Sequence, residues 1–383
     1  MRGANLDRVL AAALDREEPF TRAELIAATG LSAPTVGSLA SDLIRLDLLH
    51  DLGTGPSRGG RRPSLMQFNA RYGFAACIDI GPTRTRLALA DLRYQQLAHR
   101  IVNTPTFVPP RDVLQEIVRE VKTLMTESGV PHDRLLAVAA GAPGVVNEDN
   151  GVVVIAPNLA GWHDVPMREI LQQGFCAPVL VENDVNLAIL GEHWRGAAQG
   201  HDTCAFIFVG TGIGAAVLID GQLHRGYHFM AGEIGFMCMG PQFVDVDFGE
   251  HGCLETVAGL YALAARVPQA VEEDPATWVS KVVESADHGD ERARTALLET
   301  ARFIGIAAAN VASVVDPSLI VLGGALFAQS PRLVEAVSSV AQSLSRVPVR
   351  MVLSTLDKEA PLWGGLLIAL TAARERVRKE LRK

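Results

Sequence analysis

The chain lacks any apolar run approaching the ~20 residues that cross a bilayer, so a helical membrane protein is not expected. It also lacks an uninterrupted apolar stretch near its N-terminus. Asp7, Asp15, Glu17 and Glu18 stand where a secretory leader would need one, and the expected location is the cytoplasm. Cysteine is scarce: the five residues at 77, 176, 204, 238 and 253 are odd in number and scattered, which excludes a disulfide framework and predicts free thiols. Positive charge is short as well. With a net charge of −8, any nucleic-acid surface must be local. What is present is an ordered composition, 48% hydrophobic and 20% charged, in 383 residues, enough for two or three structural units with cores of their own.

Chemistry concentrates between Ile207 and Glu255. The apolar run Cys204–Val209 breaks into Gly210-Thr211-Gly212-Ile213-Gly214, and a second apolar run, Ala215–Ile219, ends at the turn Asp220-Gly221. Glycines at alternate positions let backbone N–H groups approach a ligand closely, so the loop is a candidate oxyanion or phosphate cradle; a plain turn is the alternative. Ala231-Gly-Glu233-Ile-Gly235 then sets one carboxylate between glycines, and Gly252-Cys-Leu-Glu255 adds a second.

The first seventy residues read differently. Leu6 to Leu14 has helical spacing, and Thr21-Arg-Ala-Glu24 is a capping box opening a helix to Thr29. Gly30 ends that helix, and Ser32 can cap a third one running to about Leu46. Helix, Gly-containing turn, helix is the helix-turn-helix pattern. Strands predicted at 48–52 and 64–68 flank a Gly-Arg-Pro loop placed like the wing of a winged helix. Residues 1–70 hold eight Arg, no Lys and eight acidic residues, so a solvated packing domain is the alternative. On the DNA-binding reading, Arg58, Arg61 and Arg62 contact phosphates, Ser32, Thr35 and Ser38 make polar contacts, and binding depends strongly on salt.

The run GTGIGA…DG…RG…AGEIG…GCLE resembles the signature of the ROK family (repressors, open reading frames and kinases), which groups sugar-responsive transcriptional repressors with sugar kinases. The resemblance covers essentially the whole chain. It implies an α/β fold: an N-terminal winged helix-turn-helix (1–70) followed by a two-lobed actin-like body of the hexokinase, ribonuclease-H-like kind. The first lobe is expected at 71–185, with the helix 362–383 packing back on it. The second, at 186–361, would bind ligand and oligomerise. Asn158, in Pro157-Asn-Leu-Ala-Gly-Trp162, and Asn183, Asp184, Glu233 and Glu255 are the implied sugar contacts, Asp184 being the catalytic base only if the chain is a kinase. Asp79, Gly81 and Thr83, with Gly210, Thr211, Gly212 and Gly214, match the phosphate-binding segments. Pro82 replaces the glycine between them; it has no N–H to donate, which argues against ordinary ATP–Mg²⁺ binding. Family repressors usually carry an Arg or Lys near the start of the third helix, where this chain has Ala33 and Ser38.

The resemblance also points to what is missing. The family's structural zinc is held by one His and three Cys, and here those places are Phe236, Val246, Phe248 and Cys253. Cys238 and His251 are not at matching places. No zinc or other cofactor is expected, and a dry apolar cluster is predicted in its stead. The expected function is a sugar-responsive DNA-binding regulator acting on double-stranded operator DNA as a homodimer or homotetramer. An ATP-dependent sugar kinase and a ligand-independent DNA-binding protein with a degenerate pocket are the alternatives.

Overall fold

The structure, a computed structural model, describes residues 2–54, 64–268 and 275–382. The N-terminal unit contains α1 (Arg2–Leu14), β1 (Phe20–Thr21), α2 (Arg22–Thr29), α3 (Ala33–Arg45), β2 (Leu49–Thr54) and β3 (Ser64–Phe68), its strands in the order β1-β3-β2. The capping box forms as the sequence predicts: Thr21 accepts from the Glu24 N–H, and the Glu24 carboxylate accepts from the Thr21 N–H at 2.7 Å. Ser32 caps α3. Strand β1 was not predicted, since two residues carry no periodicity.

The body repeats one topology twice. The first sheet comprises β4 (Phe74–Ile80), β5 (Arg84–Asp91), β6 (Gln96–Asn103), then, after α4 (Pro110–Glu127), β7 (Leu135–Ala142). A small sheet follows, β8 (Val145–Asn147), β9 (Val152–Ile155) and β10 (His163–Val165), then α5 (Met167–Gln172) and β11 (Val179–Asn183), which returns to the first sheet. Helix α6 (Asp184–Arg195) leads to the second sheet: β12 (Cys204–Val209), β13 (Ile213–Ile219) and β14 (Gln222–Leu223). After α7 (Cys253–Ala258), α8 (Leu260–Arg266), α9 (Pro275–Asp287) and α10 (Glu291–Val315) come β15 (Leu319–Gly323), α11 (Ala325–Gln329), α12 (Leu333–Leu344), β16 (Met351–Leu353) and the last helix, α13 (Ala360–Leu381). The sheet orders, β11-β7-β4-β5-β6 and β14-β13-β12-β15-β16, are the same arrangement: an antiparallel three-strand meander extended by two parallel strands. Thr256–Val267 reads as one helix in the sequence, but it is broken at Gly259, whose N–H caps α7 on Glu255 O.

Strand alternation sorts the cores. In β4, Phe74, Ala76, Ile78 and Ile80 face α4, while Ala75 and Cys77 face α13. In β12, Ala205, Ile207 and Val209 face α10, while Cys204 and Phe206 face α6. Helices α6 and α13 are therefore the paired filling between the two sheets. Their backbones nearly touch: a methyl on Gly364 would fall on Leu187 O, and one on Gly191 would fall on Ala360 O. Because the obstacle is backbone, Gly364→Ala is expected to cost about 3 kcal/mol or more. Urea denaturation reads this as a lower midpoint, and an unchanged midpoint contradicts the close crossing.

Helix α10 is 25 residues long and apolar enough to cross a membrane by length and composition, which corrects the expectation that no run approaches that length. Here Ala296, Ile304, Ala307, Ala308 and Val311 pack into the second-lobe core. The core of the N-terminal unit is continuous with the face of the first sheet through α13. Leu6, Leu10 and Phe20 share a cluster with Leu366, Leu370 and Ala75. Arg93, in the β5–β6 turn, donates to the carbonyls of Arg16 and Glu17, and Arg382 pairs with Asp7.

Candidate functional site

Between the two sheets, where β7, β11 and β12 end, lies a cleft of about 100 Å³. The open ends of parallel strands are where α/β sheets bind ligands, because loops diverge there and leave backbone polar groups unpaired. One wall is Pro82, Pro143, Gly144, Asn158, Asn183 and Asp184; the other is Phe208, Thr211–Gly214, Glu233, Phe236, Glu250, His251 and Glu255.

The five residues expected to hold sugar line this one cleft, with Thr211, Gly212 and Gly214 of the glycine loop. The glycine at 212 is there for proximity. A methyl on it would lie 2.9 Å from both Asn158 Nδ2 and Glu255 Oε2. Glu255 Oε2 accepts from the Ile213 N–H at 2.8 Å, and Oε1 lies 2.8 Å from His251 Nδ1. Burial pushes the Glu255 carboxyl up despite these partners. Glu233 is pushed up to about 7 by burial and then by Glu255. Asp184 is pushed up to about 7 by burial and then by Asp79 and Glu233.

Two details come from the geometry. Asn183 caps α6, its Oδ1 accepting from the Asn186 N–H at 2.9 Å while its Nδ2 donates to Gly144 O at 2.8 Å. Asn183 is thus occupied in holding the cleft wall, and Asp184 Oδ1 accepts from the adjacent Val185 N–H. The phosphate-hairpin residues Asp79, Gly81 and Thr83, and also Gly210, are not among the residues that line the cleft, and Thr83 is exposed. Asp79 is buried, pushed up to about 6 by that burial, and bonded to Arg86 at 3.2 Å. The Gly81 N–H is spent on Arg84 O, and the Gly210 N–H on Gly212 O. Pro82 itself forms part of the wall. The hairpin therefore offers a nucleotide phosphate neither an open N–H at Gly81 nor a free Asp79 carboxylate, and it fits Mg²⁺-nucleotide poorly.

The dry apolar cluster expected in place of zinc does not form. Phe236 is 42% exposed and Val246 47%, and Phe248 is half-buried against the Phe243 ring at 6.0 Å. The loop carrying them lies on the surface, where Phe236, Phe243, Val244 and Phe248 line an open apolar patch rather than new core. Among the described residues no group of three or more His, Cys, Asp or Glu is placed to hold a metal ion, so the residues present do not fit zinc.

Sequence reasoning missed Glu250 and His251 as cleft residues and Arg225 as a tie between the lobes. Arg225, just after β14, pairs with Glu182 at 2.8 Å and with Glu148, both on the first lobe. Glu182 is almost wholly buried and also accepts from Asn183 N–H and Asn186 Nδ2. At the mouth, His163 Nε2 lies 3.5 Å from Glu250 Oε1. Spacing along the chain gives no sign of such pairs, which only the interlobe geometry creates.

On the N-terminal unit, Ser32 and Ser38 are exposed and Thr35 half-buried. The Ser32 and Thr35 hydroxyls bond each other at 2.7 Å. Arg58, Arg61 and Arg62 lie outside the described residues.

The ROK family model matches residues 75–372. A xylose repressor of Caldicellulosiruptor bescii is 30% identical over 315 residues, 79% of each chain. A glucokinase of Halalkalibacterium halodurans is 32% identical over 248 residues, 60% of this chain and 75% of that one. The crystal structure of a ROK family transcriptional regulator, described as a homologue of the E. coli MLC protein, covers 99% of this chain and 98% of its own with a TM-score of 0.78; at 24% identity it shows the fold. The duplicated sheets are accordingly the mixed α/β, actin-like body that the sequence motifs imply. On the strength of the model match and the repressor relative, this chain belongs to the ROK family.

Proposed function

We propose that the chain is a sugar-responsive transcriptional repressor, with residues 1–70 as a winged helix-turn-helix head, 71–185 and 186–361 as the two lobes, and 362–383 as the returning helix. The observation that carries this reading is a continuous packed path from cleft to head. Asp184, on the cleft wall, is the first residue of α6. Helix α6 crosses α13 at Gly191 and Gly364, and α13 shares a core with α1 and pairs with it through Arg382 and Asp7. The cleft is smaller than the ~300 Å³ usual for ligand sites, so a sugar fits best when the lobes part slightly. A ligand with different affinity for the two interlobe angles shifts their populations, and the rigid α6–α13 pair turns that shift into a new position of the head. Two-fold operators need two heads, so the active species is a homodimer or homotetramer. A Bacillus subtilis xylose repressor aligns with 91% of this chain and the Halalkalibacterium halodurans glucokinase with 60%, which supports the repressor reading over the kinase one.

Helix α3 is the segment proposed to enter the major groove. Its buried residues Val36, Leu39, Ala40 and Leu43 hold it to the head, leaving Pro34, Gly37, Ser38 and Ser41 outward. A methyl on Gly37 meets nothing within 4 Å. Gly37→Ala is therefore expected to raise stability by about 0.5–1 kcal/mol, as a mid-helix glycine is removed. The same methyl stands against the DNA and should weaken operator binding at least severalfold. Raised stability with unchanged DNA affinity would contradict the placement of α3. The broader test is capture of genomic fragments by the full chain at low and physiological salt, with recovery of a few intergenic sites as the expected result.

A sugar kinase is the second reading, favoured by one observation: the Asp184 carboxyl, pushed up to about 7, has the proton affinity of a general base. Pro82 and the Asp79–Arg86 pair oppose it. ADP release with hexoses and ATP is expected to stay at background.

A further inference from the structure

Two cysteines stand at either end of the loop that carries Glu250 and His251 into the cleft. Cys238 is exposed and follows the short turn Ile234–Phe236; Cys253 is buried and is the first residue of α7. Both line one open surface groove, with Phe236, Phe243 and Phe248. The two chain segments lie side by side there. A methyl on Gly252 would lie 2.7 Å from Phe236 Cα, and the Met239 N–H donates to Cys253 Sγ at 3.4 Å. Because Met239 N is bonded to the carbonyl carbon of Cys238, this hydrogen bond holds Cys253 Sγ within about 6 Å of the Cys238 Cα. Disulfides join residues whose Cα atoms are about 4.4–6.8 Å apart. Cys238 Sγ now donates to Gly240 O at 3.2 Å, and a thiol is a weak donor that a side-chain rotation releases.

The other cysteines are placed differently. Cys77 and Cys204 lie inside β4 and β12, where burial pushes both thiols up and keeps oxidants out. Cys176 is exposed, but on the first lobe between α5 and β11. Only the pair at 238 and 253 sets an accessible thiol beside a sheltered one, the arrangement in which one sulfur meets the oxidant and the other resolves the product.

We propose that Cys238 and Cys253 form a reversible oxidation site, a dithiol that a peroxide converts into a disulfide closing the base of the 239–252 loop. The Cys238 sulfur attacks hydrogen peroxide, the O–O bond breaks, and the products are the Cys238 sulfenic acid and water. The Cys253 sulfur then attacks the Cys238 sulfur. The leaving hydroxide takes the Cys253 proton and departs as a second water. Two thiols lose one electron each, and the peroxide gains both. A dithiol reductant reverses the change by exchange through a mixed disulfide. Glu250 and His251 lie between the two cysteines, and Glu233 and Glu255 lie just outside them, so the cross-link fastens the second-lobe wall of the cleft. This chemistry stands whether or not the cleft takes a sugar.

Hydrogen peroxide applied to the reduced full chain tests this, with free thiols counted after denaturation and linked peptides mapped by mass spectrometry. The count is expected to fall from five to three, with one intramolecular link between 238 and 253 that dithiothreitol removes. Cys238→Ser changes an exposed side chain, should melt like the parent, and should form no internal link. Cys253→Ala should stop at the Cys238 sulfenic acid, trapped by dimedone. In the linked protein, amide hydrogen exchange across 240–252 should slow by on the order of tenfold. Five thiols surviving peroxide, or Cys238 advancing to sulfinic acid while Cys253 stays free, overturns the proposal. A link that persists in Cys238→Ser overturns the choice of pair. Exchange that does not slow in the linked protein overturns the fastening of the cleft wall.

Discussion

Asp184→Asn is expected to stabilise the sugar-free protein at pH 8 while abolishing its response to sugar. The folded state holds the Asp184 carboxyl at about 7, because it is buried and faces Asp79 and Glu233. The unfolded chain holds it near 4. A carboxyl raised on folding binds its proton in the native state at pH values where the unfolded chain has released it. Its contribution is therefore full below about pH 4, falls as pH rises through about 7, and leaves the native state at its least favourable above that. Asparagine carries no charge to desolvate and can still accept from the Val185 N–H, the bond that Oδ1 makes now. The midpoint of thermal unfolding should rise by roughly a few degrees at pH 8 and by little at pH 5, as expected for relief of a modest penalty in a chain of this length. Sugar binding should weaken by on the order of a hundredfold, the loss of a charged acceptor on a ligand hydroxyl. A variant destabilised at pH 8 would show the carboxylate to be structural instead.

Arg225→Met is expected to do the opposite, destabilising the chain by about 3–5 kcal/mol, because it strands a buried carboxylate. Glu182 has almost no exposure, and Arg225 is its only cationic partner among the described residues. Glu148, pushed up to about 7 by burial and by Glu182 beside it, loses the same guanidinium. Glu182→Gln in the Arg225→Met background should recover most of the loss, since the amide oxygen can still accept from the Asn183 and Asn186 donors. The recovery, read by urea denaturation, distinguishes an unpaired charge from lost packing. As Arg225 ties the second lobe to the first, the double variant should also bind sugar with altered affinity even where its stability is restored.

Much of this architecture was legible because local rules agreed with tertiary ones. The capping box at Thr21 and Glu24, the Ser32 cap and the strands on either side of the glycine loop are set by neighbours a few residues away. The motif residues Asn158, Glu233 and Glu255 could be named because the family pattern fixes them, and they share the cleft. What was not legible depends on distance in space. Arg225 was visible only as part of a motif, and its partners at 148 and 182 come from another lobe. His251 looked like a stray metal ligand until it was seen against Glu255. The exchange of three zinc ligands for Phe, Val and Phe suggested burial, but hydrophobicity alone cannot bury a residue on a loop with nothing packed above it, and Phe236 and Val246 stay exposed. The break at Gly259 and the Asn183 cap of α6 are effects of single residues, below what periodicity resolves.

The central claim is that a sugar in the interlobe cleft changes how the N-terminal head holds DNA. The direct measurement is the affinity of the full chain for a captured genomic fragment, by fluorescence anisotropy at fixed physiological salt, with and without the free sugar that binds by calorimetry. The account predicts a change of fivefold or more, the lower end of ordinary coupling between sites, absent in Asp184→Asn. An affinity for DNA that stays the same when the cleft is saturated with sugar would contradict it.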